Sequence, residues 1–541
     1  MAKGLSRARA TALRATLAAL AALALAPGFV AAATTDCAAE ANVDFASTSW
    51  GGDARQTRTQ ANSDIRVDNV AQLRLDWVYA LPGGNSPHSY PLVTADTLFI
   101  GTQSGVLLAL DRASGCKRFR FQADSEVRTA LTAGRVGDQA LIFFGTRGGF
   151  VYALEARTGR LAWSRDVRDH DAGMVTGTPV LHAGKLYVPL SSSEVVLATS
   201  GFYGCCTFRG SVSAWDAATG EFIWRSHTID REPKLTHRHW VFVRNYGPSG
   251  APVWSAPTID ARRNQILFGT GENYSGPSSG GSDAIFALDL DTGERRWRTQ
   301  YTADDNFNVA CNVSADHPNC PAENGPDLDF GAPPILGRLQ DGSEVVLAGQ
   351  KSGYVHALTP DNGTRLWSRR LGRGGYLGGI HWGMAFNEEL GLLYAPISDI
   401  RQAPPGVEGE PSPGLSAIDA ATGEVRWQQP VSANCDGRSR CLAGFSAAPG
   451  SNAELVFVGG LDGMLLAFDA ASGAERWRFD TWAEFASVNG GDGESRANGG
   501  AIDVHGPQLV EDLLIVQSGY AGFGQRGGNA LMVFRLTDDA S

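Results

Sequence analysis

The pattern Ala-x-Asp-x-x-x-Gly-x-x-x-Trp recurs seven times in this chain, each time directly after a short apolar run. Four copies keep every position: Ala214, Asp216, Gly220 and Trp224; Ala287, Asp289, Gly293 and Trp297; Ala417, Asp419, Gly423 and Trp427; Ala467, Asp469, Gly473 and Trp477. Two vary at the acid, with Glu155 ahead of Trp163 and Thr359 ahead of Trp367, and the first copy ends on Phe119. Within one repeat, 464–468 (MLLAF) has the character of a buried strand, Asp469 opens a tight turn, and a second strand carries Trp477. The alanine is small enough to admit an aromatic ring, and the aspartate can accept bonds from the turn amides. One such sheet cannot bury both of its faces, so the repeats must stack. Closing the stack into a ring leaves only short, protected edges, which is the β-propeller solution. The period-two alternation and the glycine turns exclude a helical solenoid.

The blade number follows from the chain ends. The apolar run Ala530–Leu536 stops before any turn, and 73–81 (LRLDWVYAL) supplies what it lacks, with Trp77 in the docking place. One blade shared by both ends gives an all-β, eight-bladed propeller. That ring absorbs residues 34–541 as one domain of the 541-residue chain, and the 43% hydrophobic fraction suits it. A net charge of −11 with no basic cluster argues against a nucleic-acid partner.

Residues 1–33 have the pattern of a cleavable Sec-type signal peptide. Lys3, Arg7, Arg9 and Arg14 precede an Ala/Leu run, and Ala31, Ala32 and Ala33 offer a cleavage site. A periplasmic or secreted location is therefore expected. No later apolar run reaches membrane-spanning length, so a soluble rather than membrane-spanning protein is expected. Eight cysteines in an exported chain suggest disulfides. Spacing favours Cys311–Cys320 and Cys435–Cys441 as loop staples, Cys37 with Cys116, and a pair between the adjacent Cys205 and Cys206. No CxxCH motif occurs, so no c-type haem is attached.

The repeat spacing is uneven. Forty-four residues separate Phe119 from Trp163, 73 separate Trp224 from Trp297, and 50 separate Trp427 from Trp477. Insertions in a repeat protein gather as loops, commonly on the binding face. The long ones here are 191–209, 271–281, 304–330 and 372–386. A GxGxxG match at Gly522, Gly524 and Gly527 has no βαβ unit around it and is a glycine loop.

The repeats, with LSSSE…CCTFRGSVSAWD, VWSAPTID…FGTGENYS, GPDLDFGAPPIL and AGQKSGYVHAL, resemble the quinoprotein alcohol dehydrogenases. Within that family the polyvinyl alcohol dehydrogenase group is most similar, through CCTFRG and the paired cysteines flanking GPDLDFG. The resemblance implies pyrroloquinoline quinone (PQQ) and a metal ion on the ring axis. It implies a metal held by a Glu, an Asn and an Asp, oxygen ligands suited to calcium. Glu194 matches the glutamate. The Asn position after Gly-Thr-Gly is occupied by Glu272, with Asn273 one step later, so either could ligate. Asp327 matches the catalytic base and metal ligand, with Asp329 as the second acid that in the family often accompanies a lanthanide; Asp304 and Asp305 compete for the base role. Trp254 matches the stacking floor, Arg128 and Thr176 the carboxylate contacts, and Lys351 the cation beside the quinone oxygens. Cys205 and Cys206 match the cover of the cofactor, and His381 occupies the place of an asparagine near it.

The implied reaction is hydride transfer from an alcohol carbon to PQQ, with Asp327 taking the hydroxyl proton and the metal polarising the quinone oxygen. Electrons would pass to a separate cytochrome c or similar carrier. The expected substrate is a small or polymeric alcohol, secondary by resemblance, such as a polyvinyl alcohol-like chain or a hydroxylated natural product. Two alternatives remain: a non-catalytic propeller scaffold of the outer-membrane assembly type, and a relative that has lost its cofactor.

Overall fold

A computed structural model describes residues 37–239, 242–400, 404, 406–432, 434–490 and 495–537. The proposed signal peptide, 1–33, lies outside the described residues. Eight sheets, each built on four antiparallel strands, form an eight-bladed β-propeller. The first complete blade runs Leu92–Val93, Thr97–Gly101, Val106–Asp111, Lys117–Gln122. The shared blade pairs Leu73–Ala80 with Ala530–Leu536, which in turn pairs Leu513–Ser518 and then Gln508–Val510. Among the described residues the only α-helices are Glu194–Leu197 and Ala310–Val313, both in insertions. Among the described residues no helix is long and apolar enough to cross a membrane.

The repeated motif is the joint between blades. Within each hairpin the alanine pairs across the ladder with the aromatic, as Ala417 does with Trp427 and Ala109 with Phe119. The ring then reaches the next blade. Trp163 donates its indole N–H to the Ala217 carbonyl at 3.0 Å, Trp297 to Pro360 at 3.0 Å, and Trp427 to Ala470 at 3.1 Å. Trp77 makes the same bond to Arg112 at 3.2 Å, so the shared blade docks like the others. The acceptor is always the residue after the turn acid or its Thr359 replacement. The motif glycines have φ between 68° and 74°, and a Cβ on any of them would press into the preceding blade's aromatic ring. The aspartate ties the turn: Asp216 Oδ1 accepts the N–H of Ala218 at 3.0 Å and of Thr219 at 2.8 Å.

A strap before the first blade runs from inner strand to inner strand around the ring. Its backbone bonds one inner strand after another: Ala46 to Val93, Thr48 to Ala133, Ala54 to Ile259, Arg55 to Leu336, Thr57 to Phe386 and Arg58 to Ser451. Arg58 is buried in the strap, donating to the carbonyls of Trp50, Ala448, Pro449, His505 and Pro507. Four disulfides are present: Cys37–Cys116, Cys205–Cys206, Cys311–Cys320 and Cys435–Cys441.

Candidate active site

Three carboxylates converge where two insertions meet. Glu272 follows the strand Gln265–Gly269, and Asp327 and Asp329 end the long 304–330 insertion. Their oxygens lie within 4.8 Å of one another. Asp305 sets this geometry, because its carboxylate accepts the backbone N–H of Asp327 at 3.0 Å and of Leu328 at 2.7 Å. Asp327 is held at φ 58°, a left-handed conformation that those bonds sustain. Asp329 then accepts the Glu272 backbone N–H at 2.9 Å, which joins the two insertions.

Lys351, from the turn after Glu344–Gly349, reaches Asp327 Oδ1 and Asp329 Oδ2, both at 2.8 Å. One lysine cannot neutralise three acids. Two carboxylates within 4.8 Å repel by about 3.5 kcal/mol at an effective dielectric of about 20. Burial and the neighbouring Asp329 and Asp327 charges push the Glu272 carboxyl well above its ordinary range. Burial pushes Asp327 up to about 8, against the pull of Lys351. The same acids raise the Lys351 ammonium above its usual value despite burial. A buried trio of oxygen donors that holds protons for want of enough positive charge suits a hard cation, which would displace them.

Trp254 forms the aromatic floor beside this cluster. Its indole N–H donates to Asp329 Oδ2 at 3.1 Å, and the Lys351 ammonium lies 5.4 Å from the ring centroid. Gly331 backs the ring at a distance where a Cβ would overlap it. Trp382 meets Trp254 edge to face at 5.4 Å and stacks on His381 at 4.5 Å. His381 is buried, and burial with the Lys351 and Arg128 charges holds it neutral, well below the usual histidine range. The Arg128 guanidinium lies 5.4 Å from the Trp382 ring. Arg128, Thr176, Trp254 and Trp382 line one axial pocket together with Trp50 and His505. Trp50 and His505 were not foreseen: Trp50 enters from the strap, whose path no local pattern encodes.

The remaining expected residues make other contacts. Glu194 is fully buried, but its oxygens accept the Tyr203 hydroxyl at 2.9 Å and the backbone N–H groups of Thr207 and Phe208 at 2.8 Å. It therefore clamps the loop that carries Cys205 and Cys206, both buried. Asn273 is likewise engaged elsewhere, accepting from Ser279 at 2.6 Å and donating to Ser282 at 2.9 Å. Asp304 lies outside the trio at φ 61°. The Gly522 to Gly527 loop contains no helix, and Phe523 packs beside Leu377, Ile400 and Leu461.

Comparison with known proteins decides the family. The profile of the PQQ glucose/ethanol/alcohol dehydrogenase β-propeller domain matches residues 47–368, more than half of the chain. A polyvinylalcohol dehydrogenase of Pseudomonas sp. is 35% identical over 504 residues, covering 90% of this chain and 76% of the relative. The chain belongs to the PQQ-dependent alcohol dehydrogenases. The polyvinylalcohol dehydrogenase of Sphingopyxis sp. (strain 113P3) is 36% identical over 506 residues, again covering 90% and 76%. The fold matches the crystal structure of quinohemoprotein alcohol dehydrogenase from Comamonas testosteroni with TM-score 0.68, 20% identity, and coverage of 91% and 81%. A second profile, the outer membrane protein assembly factor BamB, matches residues 411–534 of this quinoprotein. That stretch holds docking repeats and none of the trio, Trp254 or Lys351, so it reports the frame rather than the chemistry.

Proposed function

We propose that this PQQ-dependent dehydrogenase is an exported enzyme that oxidises secondary alcohols, polymeric ones among them, and passes the electrons to a separate carrier protein. The observation that carries the catalytic reading is the buried trio Glu272, Asp327 and Asp329 beside Lys351 and the Trp254 ring. A purely structural propeller has no use for three converging buried carboxyls, which are costly to bury. When bound, PQQ supplies an ortho-quinone that takes up the hydride of the alcohol carbon.

In this reading the three acids hold the cation, calcium or a lanthanide. Lys351 and Arg128 offer positive charge to an anionic planar ligand, and Trp254 offers the surface on which it lies. Asp327 is the base. Its raised affinity for protons suits it to take the hydroxyl proton of the alcohol, and bound metal keeps it ionised and ready. Asp305 positions Asp327 through the backbone, and neutral His381 offers a single N–H donor at the pocket wall. Glu194 and the Cys205–Cys206 pair shape the covering loop. The secondary-alcohol preference rests on the likeness to the two polyvinylalcohol dehydrogenases, and export rests on the N-terminal pattern.

Reconstitution with PQQ and calcium, followed by dye-linked turnover on a matched panel, tests this. Secondary alcohols and polyvinyl alcohol are expected to exceed primary alcohols in kcat/KM by at least tenfold. A primary-alcohol preference would overturn the substrate reading.

A further inference from the structure

The insertion that stretches one repeat to 73 residues contains a hairpin outside the propeller frame, Lys234–His239 paired with Val243–Gly247. It is cationic on a chain of net charge −11. Lys234, His237, Arg238 and Arg244 are all exposed. Arg238 and Arg244 are direct cross-strand partners. Like charges opposite each other weaken a two-stranded ribbon, and among the described residues neither arginine nor Lys234 forms an ion pair. The acids just before the hairpin pair elsewhere, Asp230 with Arg295 at 2.7 Å and Glu232 with Arg209 at 3.7 Å. Amid these charges Leu235 is 47% exposed and Phe242 68%.

The hairpin is bonded to the loop that carries the paired cysteines. The Tyr246 N–H donates to the Cys205 carbonyl at 2.8 Å, and the Cys206 N–H donates back to Tyr246 at 3.4 Å. The His239 ring contacts the Gly201 carbonyl at 2.9 Å. That loop follows the helix Glu194–Leu197, on which Val196 is 54% exposed. Exposed apolar side chains rimmed by unpaired cations have the anatomy of a protein interface.

We propose that the 234–247 hairpin, with the apolar surface of the adjoining 196–202 loop, is the docking surface for an acidic electron-carrier protein. The proposal rests on the dehydrogenase reading, which requires an outlet: two electrons leave the alcohol carbon, and a one-electron carrier must visit twice while two protons pass to solvent. The partner is acidic because the surface it meets is locally cationic, and complementary charge steers association within a Debye length of about 8–10 Å. A protein is favoured over a lipid surface because the hairpin's second strand runs on into Ser249–Gly250, which pairs with Ser275 and Asn273, and the next N–H, of Ala251, donates to the Glu272 carbonyl at 2.7 Å, so the hairpin is tied to the site.

Arg238→Glu/Arg244→Glu and, separately, Phe242→Ala test the idea in the enzyme reconstituted with PQQ and calcium. Three probes are used: an artificial dye, a c-type cytochrome of acidic net charge and one of basic net charge. Dye reduction is expected to be unchanged in both variants, which reports intact chemistry and folding. Reduction of the acidic cytochrome should fall at least tenfold in kcat/KM in the charge-reversed variant, with loss of its salt dependence, and at least threefold in Phe242→Ala. Basic cytochrome should be the poorer acceptor for wild type. Equal rates with acidic and basic cytochromes, or an unchanged acidic-cytochrome rate in the charge-reversed variant, would overturn the proposal. So would binding of wild type to phosphatidylglycerol vesicles that is lost on charge reversal while the cytochrome rate is kept. Failure of dye reduction in wild type would instead overturn the dehydrogenase reading.

Discussion

Asp327 is the residue on which the proposed chemistry turns. It is held at φ 58° by two bonds from Asp305, touched by Lys351, and raised to about 8 in proton affinity. A carboxyl whose ordinary value is 3.8 but whose folded value is about 8 keeps its proton in the folded state across that window. The unfolded chain has already released it, so the metal-free protein loses stability as pH rises from about 4 to about 8, by about 1.4 kcal/mol per pH unit for each such proton. If the trio holds calcium as proposed, the ion removes this penalty by displacing the protons. The difference in Tm between calcium-loaded and chelated protein should therefore be larger at pH 8 than at pH 5, measured by calorimetry; a pH-independent difference would contradict the metal reading of the trio. Much of this was readable at the residue level: Asp327, Asp329, Trp254 and Lys351 are brought together as expected. Glu272 joins them while Asn273 does not, a choice that depended on how one loop shifts against another. Glu194 accepts the Thr207 and Phe208 amides, contacts supplied by the fold of its own insertion rather than by any local pattern.

At the scale of the element, the motif glycine answers two demands that separate experimentally. Gly423 combines φ 74° with the Trp367 ring against its missing Cβ, whereas Gly342 has φ 85° and open space around it. Gly342→Ala is expected to cost about 1 kcal/mol from backbone strain alone. Gly423→Ala adds displacement of the docked ring, about 1–3 kcal/mol more. Denaturant midpoints of the two variants measure the difference, and equal costs would show that the ring is not held by the glycine. The spacing Asp-x-x-x-Gly-x-x-x-Trp states this joint almost completely, because the turn and the places of glycine and ring are set within one repeat and each repeat meets a copy of itself. The strap was invisible for the opposite reason. Its bonds run from Ala46 to Val93 and from Arg58 to Ser451, pairings of backbone with backbone that leave no mark on residue choice.

Across the whole molecule, eight repeated blades build an axis, and irregular insertions from several of them converge there. Arg128 precedes the inner strand Thr132–Val136, Thr176 precedes Val180–His182, Trp254 precedes Thr258–Asp260, and Asp327 precedes Ile335–Arg338. Residues spread over some two hundred positions thus form one site only once the ring closes, a step taken by the pairing of Leu73–Ala80 with Ala530–Leu536. Ring closure and the repeat could be inferred from sequence, and several axial residues by family resemblance; the contacts between them could not, because their side chains meet only through long-range packing. The direct test of the account is dye-linked oxidation of a secondary alcohol by wild type and Asp327→Asn, each loaded with PQQ and calcium. Wild type should turn over only with both added, and Asp327→Asn should bind PQQ yet lose a factor of about 10²–10⁴ in kcat. An Asp327→Asn enzyme as active as wild type would contradict the assignment of Asp327 as the base at the centre of this site.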